Sequence, residues 1–165
     1  MVIMGIDSST TSTGWAVIET KFEGKLRLIE CGTIIPPKNL SMIKRIVHIS
    51  RALKLIITRY RPEFVTLEEM NVTRNMKTMR ALVGLITEIE VVLINRNALY
   101  VKFTPSEWRK KVGIRCKNER EELKRASVEY VWEHFREKVG DDEADAVCIA
   151  EAGSKMEVEI DADAN

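Results

Sequence analysis

Three short apolar runs follow one another within the first 35 residues, and only after them do strand-like and helix-like segments alternate. Val2–Ile6 runs into Asp7, Ser8–Thr13 is a hydroxyl-rich turn, and Gly14–Glu19 reads as the second strand of a hairpin. Gly14 is expected to let the chain turn there. Leu26–Ile35 reads as a third strand, stopped by Pro36 and Pro37. Antiparallel neighbours can be joined by short turns, whereas parallel neighbours need a crossover. The later order of helix, strand, helix, strand and terminal helices supplies crossovers. The pattern predicts an α/β fold with a five-stranded mixed sheet, three antiparallel strands followed by parallel crossovers, flanked by helices.

Ser41 is placed to cap a helix running to about Tyr60, whose Ile43, Ile46, Val47, Ile49, Leu53, Ile56 and Ile57 follow a helical period. Phe64–Leu67 predicts the fourth strand, running into Glu68 and Glu69. A helix from about Arg74 to Asn95 is apolar on more than one face, which calls for burial against the sheet and against a second helix or subunit. Ala98–Phe103 predicts the fifth strand, and Thr104-Pro105 a helix start. Glu119–Val139 and Asp142–Gly153 read as the last helices. Residues 1–155 are expected to form one domain and residues 156–165 an acidic, flexible tail.

The longest apolar stretches are far short of a membrane span, and Met1–Asp7 has no secretory pattern. Cys31, Cys116 and Cys148 form no C-x-x-C pair, which points to a reducing, cytoplasmic setting. With only His48 and His134 as histidines, a metal here would be a hard cation held by carboxylates. The net charge of +1 conceals an asymmetry: residues 141–165 hold nine acids against Lys155, leaving 25 bases and 16 acids in residues 1–140. A basic body suits a polyanion, and equally a solvated surface.

Four acids stand out by position. Asp7 ends the first strand, Glu68 ends the fourth, and Asp142 and Asp145 open the last helix three residues apart. Functional groups gather at the carboxyl ends of strands in α/β sheets. If the first and fourth strands are neighbours, Asp7 and Glu68 meet, and the last helix can complete a cluster. Clustered carboxylates repel one another, and Mg²⁺ or Mn²⁺ relieves that repulsion. Each acid alone has a plainer explanation, such as a turn cap, an ion pair or a helix-dipole partner.

Gly5-Ile6-Asp7-Ser8-Ser9 with Thr13-Gly14-Trp15-Ala16-Val17-Ile18 resembles the opening motif of RuvC-type Holliday junction resolvases. Phe64–Glu69 is similar to their second catalytic motif, and Asp142–Ala150 to their final D-x-x-D-A-x-x-I-A. The resemblance covers about residues 2–153, and a short loop before the penultimate helix is closer to the phage and poxvirus branch. It implies an RNase H-like fold, a homodimer, and a Mg²⁺-dependent endonuclease that nicks opposing strands of four-way DNA. Helix 74–95, apolar on more than one face, is expected to be the dimer element unless the chain's own terminal helices cover it. Asp7, Glu68, Asp142 and Asp145 match the family's catalytic, metal-binding acids, and Lys117 its loop lysine. Ser8-Ser9 replaces the family's proline and glycine, and Asn71 stands where some members carry an aromatic wedge.

Two-metal hydrolysis needs carboxylates bridging ions roughly 3.5–4 Å apart. Asp7, on the central strand, is expected to bridge both ions, with Glu68 on one and Asp142 or Asp145 on the other. Mn²⁺ is expected to substitute for Mg²⁺, and Lys117 to serve as cation or proton donor at the scissile phosphate. Arg109, Lys110, Lys111, Arg115, Lys117, Arg120, Lys124 and Arg125 crowd one stretch, and Arg74, Lys77 and Arg80 follow Glu68. All but Arg125 are assigned here to DNA phosphates, and that residue shares the basic stretch. Trp108 reads as a core residue rather than a stacking platform. Three other readings stay open. An actin-like kinase or ATPase would need a second lobe. A branched-DNA-binding module would not cut. A related nuclease would act on flaps, forks or hybrids.

Overall fold

The computed structural model describes residues 1–70, 75–115 and 120–162. Its elements are β1 (Val2–Asp7), β2 (Thr13–Thr20), β3 (Leu26–Ile34), α1 (Met42–Tyr60), β4 (Phe64–Glu68), α2 (Met76–Ile94), β5 (Leu99–Phe103), α3 (Pro105–Val112), α4 (Arg120–Phe135) and α5 (Asp141–Ala162). The sheet has five strands in the order β3-β2-β1-β4-β5. β1, β2 and β3 pair antiparallel, while β4 lies parallel to both β1 and β5. This is the mixed sheet expected, with β1 at its centre.

Strand alternation sorts the side chains into two layers. Met4 and Ile6 of β1, Trp15 and Val17 of β2, and Val65 and Leu67 of β4 share one core with Ile49 and Leu53 of α1 and Leu85 and Ile89 of α2. The intervening residues face the other way. Ala16 packs with Trp108, Val131 and Ile149 of the terminal helices, and Ile3 and Ile18 pack with Ala150. Asp7 follows Ile3 and Gly5 on the same face of β1, and Glu68 follows Thr66 on the same face of β4. Both acids therefore belong to the face covered by α5.

The closeness of α5 to the sheet explains two departures from the sequence expectations. Gly14, expected to turn the chain, lies within β2 opposite Asp7. A Cβ there would come 2.0 Å from the Asp142 carbonyl oxygen, so the residue is small because α5 approaches. Gly153, expected to end the last helix, lies inside it, and α5 continues to Ala162. A Cβ on Gly153 would meet the Thr66 Cγ2 at 2.8 Å, so this glycine also serves close packing. The helical part of the expected tail thus belongs to α5. Conversely, α4 ends at Phe135 rather than Val139, because Arg136 adopts a left-handed conformation with φ of 60°.

The start of α3 is as expected. Thr104 accepts from the Glu107 backbone N–H, and the Glu107 carboxylate accepts from the Thr104 N–H, closing a capping box with Pro105 in the first turn. α2 buries Ala81, Leu85, Ile86, Ile89, Val92 and Leu93 and leaves Met76, Val83, Val91 and Ile94 exposed. Among the described residues, no helix is long and apolar enough to cross a membrane.

Candidate active site

β1 and β4 run in parallel with Ile6 opposite Leu67, so Asp7 and Glu68 end neighbouring strands at the same level. The first turns of α5 add Asp142 and Asp145 from above. All four line one cavity of about 490 Å³, together with Ser9, Thr11 and Ser12 from the loop after β1, Pro105 and Arg109 from α3, and Leu123 and Lys124 from α4. The acids picked out by their terminal positions therefore converge.

Two of the carboxylates are each held by a donor, and a third faces a cation. Glu68 Oε2 accepts the Trp108 indole N–H at 2.8 Å. Asp142 Oδ2 accepts the Ser12 hydroxyl. Asp145 Oδ2 lies 3.8 Å from the Arg109 guanidinium, while its Oδ1 is buried without a hydrogen-bond partner. Among the described residues, no three His, Cys, Asp or Glu side chains are arranged to close around one ion as they stand. Sharing a cavity and sharing an ion are different demands: the first is a matter of backbone placement, the second of side-chain positions. The donor set still suits a hard divalent cation, being oxygen-only, and it includes one buried carboxylate oxygen left unsatisfied.

The electrostatics point the same way. Burial, reinforced by the charges of Glu68, Asp145 and Asp142, pushes the Asp7 pKa well above the usual carboxylate range, and Arg109 only partly opposes this. Burial also raises Glu68, against the stabilising hydrogen bond from Trp108. Asp145 is raised by burial too, with the Ser127 hydroxyl and Arg109 pulling the other way. The cavity is short of positive charge.

The basic residues divide. Arg109 is drawn into the cavity, its guanidinium 4.2 Å over the Trp108 ring and beside Asp145. Lys124 lines the rim and pairs with Asp141 at 2.9 Å. Lys111 lies over the Phe103 ring at 5.6 Å. Lys77, Arg80, Lys110, Arg115 and Arg125 are exposed, and Arg120 opens α4. Asn71, Arg74 and Lys117 lie outside the described residues. Sequence reasoning missed Ser12, the contact of Trp108 with Glu68, and the inward position of Arg109. A buried indole N–H needs an acceptor, and this was the one signal for the Trp108 contact.

The comparisons agree on a family. The model of the family "Crossover junction endodeoxyribonuclease RuvC" matches residues 3–152. The crossover junction endodeoxyribonuclease RuvC of Orientia tsutsugamushi (strain Boryong) is 27% identical over 154 residues, covering 93% of this chain and 95% of that protein. Thermus thermophilus RuvC, solved in complex with a Holliday junction substrate, superposes with a TM-score of 0.79 at 19% identity over 96% of each chain. The Fowlpox virus resolvase, solved with Holliday junction DNA, gives a TM-score of 0.64 at 16% identity over 96% of this chain and 99% of that one. These two structures share the fold, and the backbone lies nearer to the bacterial example. A sheet with β1 at its centre, acids at the ends of β1 and β4 and at the start of α5, and a family model matching nearly the whole length place this chain in the RuvC family of crossover junction endodeoxyribonucleases.

Proposed function

We propose that this protein resolves four-way DNA junctions by paired, metal-dependent phosphodiester hydrolysis that leaves 5′-phosphate nicks. The observation that carries the reading is the convergence of Asp7, Glu68, Asp142 and Asp145 in one cavity. Asp7, Glu68, Asp142 and Asp145 would hold Mg²⁺, or Mn²⁺ in its place, with two ions per site. Such ions supply Lewis-acid activation of water and stabilise charge developing on the leaving 3′ oxygen. The rest is done by the chain's own groups. Asp7, at the end of the central strand, feels the charges of Glu68, Asp145 and Asp142 together, which fits it for a shared ligand. Arg109 and Lys124 bring positive charge to the scissile phosphate, alongside Lys117, the residue matched to the family's loop lysine. Ser9 and Thr11 offer hydroxyl donors at the rim. Exposed Lys77, Arg80, Lys110 and Arg115, with Arg74, Lys111 and Arg120, serve the phosphates of the arms.

Two cuts on opposing strands require two sites, and a homodimer supplies them. Exposed Met76, Val83, Val91 and Ile94 on α2, with an apolar groove along α1 at Leu40, Ile43, Val47 and Leu55, support an interface on this side of the sheet. The unpaired Cys31 and Cys148 suit a reducing, cytoplasmic setting. We take residues 1–155 as the nuclease domain. The test is incubation of the protein with labelled four-way, forked and linear DNA, with and without Mg²⁺. Symmetric nicks in the four-way substrate that need Mg²⁺ are expected, and Asp7→Asn should bind without cutting. Cleavage by Asp7→Asn at the wild-type rate would overturn the assignment; retained binding with no Mg²⁺-dependent cutting by the wild type would favour a binding module.

A further inference from the structure

The geometry points to Trp108 as a positioning residue for the active site: its indole N–H fixes the Glu68 carboxylate in the orientation from which it binds a divalent cation. This rests on the reading of the four acids as a metal site, and adds to it a residue outside that set.

The placement follows from the register of the sheet. Glu68 pairs with Phe103 across β4 and β5, and the Glu69 N–H donates to the Phe103 carbonyl at 2.7 Å. The chain leaves β5 at Phe103, and the capping box at Thr104 and Glu107 immediately turns it into α3. Trp108 is therefore set in the first turns of α3, directly beyond the strand that neighbours Glu68. Its side chain is fully buried, with Val112, Val131 and Ile149 in the same core. It has no room to choose another direction.

Only one polar atom emerges from this apolar plug, and it meets Glu68 Oε2 at 2.8 Å. A carboxylate has two oxygens; holding one leaves the other for the cavity. The N–H donates from the ring edge, and a face of the same ring supports Arg109, whose guanidinium sits 4.2 Å from it and 3.8 Å from Asp145. One side chain thus sets the position of a carboxylate on β4 and supports the cation that faces a carboxylate on α5. A neighbour that orients a metal ligand is worth about 10–100-fold in metal affinity or activity.

The experiment separates the N–H from the bulk. Trp108 is replaced by benzothienylalanine, which keeps the fused ring and lacks the donor; Trp108→Phe is made in parallel. Mn²⁺ binding to the free protein is measured by electron paramagnetic resonance of unbound Mn²⁺, with Glu68→Gln as reference. The expected result is roughly 10-fold weaker Mn²⁺ binding in the benzothienylalanine protein, with a cooperative melt that shows it folded, and with unchanged affinity for a four-way junction in EDTA. The Mg²⁺ concentration for half-maximal cleavage should rise, while the rate at saturating Mg²⁺ recovers. If Glu68→Gln weakens Mn²⁺ binding and the isostere does not, the role of Trp108 falls and the metal site stands. If Glu68→Gln itself leaves Mn²⁺ binding unchanged, the metal-site reading falls and takes this one with it. Should Trp108→Phe not fold, the isostere decides alone.

Discussion

Replacing Gly14 by alanine perturbs the active site without touching a charged residue. The added Cβ would lie 2.0 Å from the Asp142 carbonyl oxygen and 3.2 Å from the Asp142 Cβ. Real Cβ atoms essentially never approach closer than 3.0 Å, so the carbonyl must recede by about 1 Å. Neither side yields easily. β2 is paired on both edges, with Gly14 opposite Asp7 on β1 and Thr33 on β3, and the Asp142 carbonyl belongs to the first turn of α5. Overpacking of this kind costs about 1–3 kcal/mol, and each kcal/mol lowers the melting temperature by about 2–4 °C in a chain of this size. The chemistry should lose more than the fold. The same turn carries Asp142 and begins the path to Asp145, and a misplacement of about 1 Å can cost on the order of 100-fold in rate. Thermal melting and single-turnover cleavage of a labelled junction, measured on Gly14→Ala below its melting temperature, check both parts. A variant that melts lower yet cuts at the wild-type rate would break the link between the packing of α5 and the geometry of the acids. One that matches the wild type in both would refute the packing argument itself.

Four other outcomes are expected. Because the Asp7 pKa is raised in the folded state, the stability associated with its proton is full below the ordinary carboxylate value and is lost as pH rises through the folded one. Metal-free Asp7→Asn should therefore melt above the wild type at pH 8, and the gap should close in acid; a lower melting temperature at pH 8 would contradict this. Ser12→Ala removes the donor on Asp142 and should slow cleavage by about 10-fold while junction binding persists; an unchanged rate would make that hydrogen bond incidental. Neutralising the exposed Lys110 and Arg115 should shallow the dependence of log K on log salt by about 0.9 for each phosphate that is no longer neutralised, whereas an unaltered slope would put this surface away from DNA. Glu in place of Ile43 and Val83 should yield monomers by light scattering, and an unchanged mass would remove the α1–α2 surface as the interface.

The parts readable from the sequence are those governed by local rules. Strand alternation and terminal position single out Asp7 and Glu68, and a spacing of three residues sets Asp142 and Asp145 on one side of a helix. Thr104-Pro105 with Glu107 states a helix start in chemical terms. What could not be read depends on approach between elements. Gly14 and Gly153 look like punctuation in a single sequence, yet both are small because α5 lies against β2 and β4. The hydrogen bond from Trp108 to Glu68 joins residues 40 positions apart through the pairing of β4 with β5. Arg109 looks like one more base in a basic stretch, since nothing local says that its side chain turns inward.

That inward turn raises a question of cost. Arg109 and Asp145 face each other at 3.8 Å, yet the Arg109 Nε and the Asp145 Oδ1 are both buried without hydrogen-bond partners. An unsatisfied buried polar atom costs about 1–3 kcal/mol, and here two of them belong to one ion pair. A pair serving stability alone would be expected to close, with each charge saturated by the other. Asp142, by contrast, has the Ser12 hydroxyl, and Glu68 has the Trp108 indole. Among the described residues, Ser8 Oγ and Thr20 Oγ1 are also buried without a partner, but only Arg109 and Asp145 combine this with opposite charges that face each other where the proposed chemistry needs both a cation and a phosphate. A cation is the natural partner of the unfilled carboxylate oxygen, and a phosphate that of the unfilled guanidinium N–H. On this reading the free protein leaves undone the interactions that substrate and metal together complete.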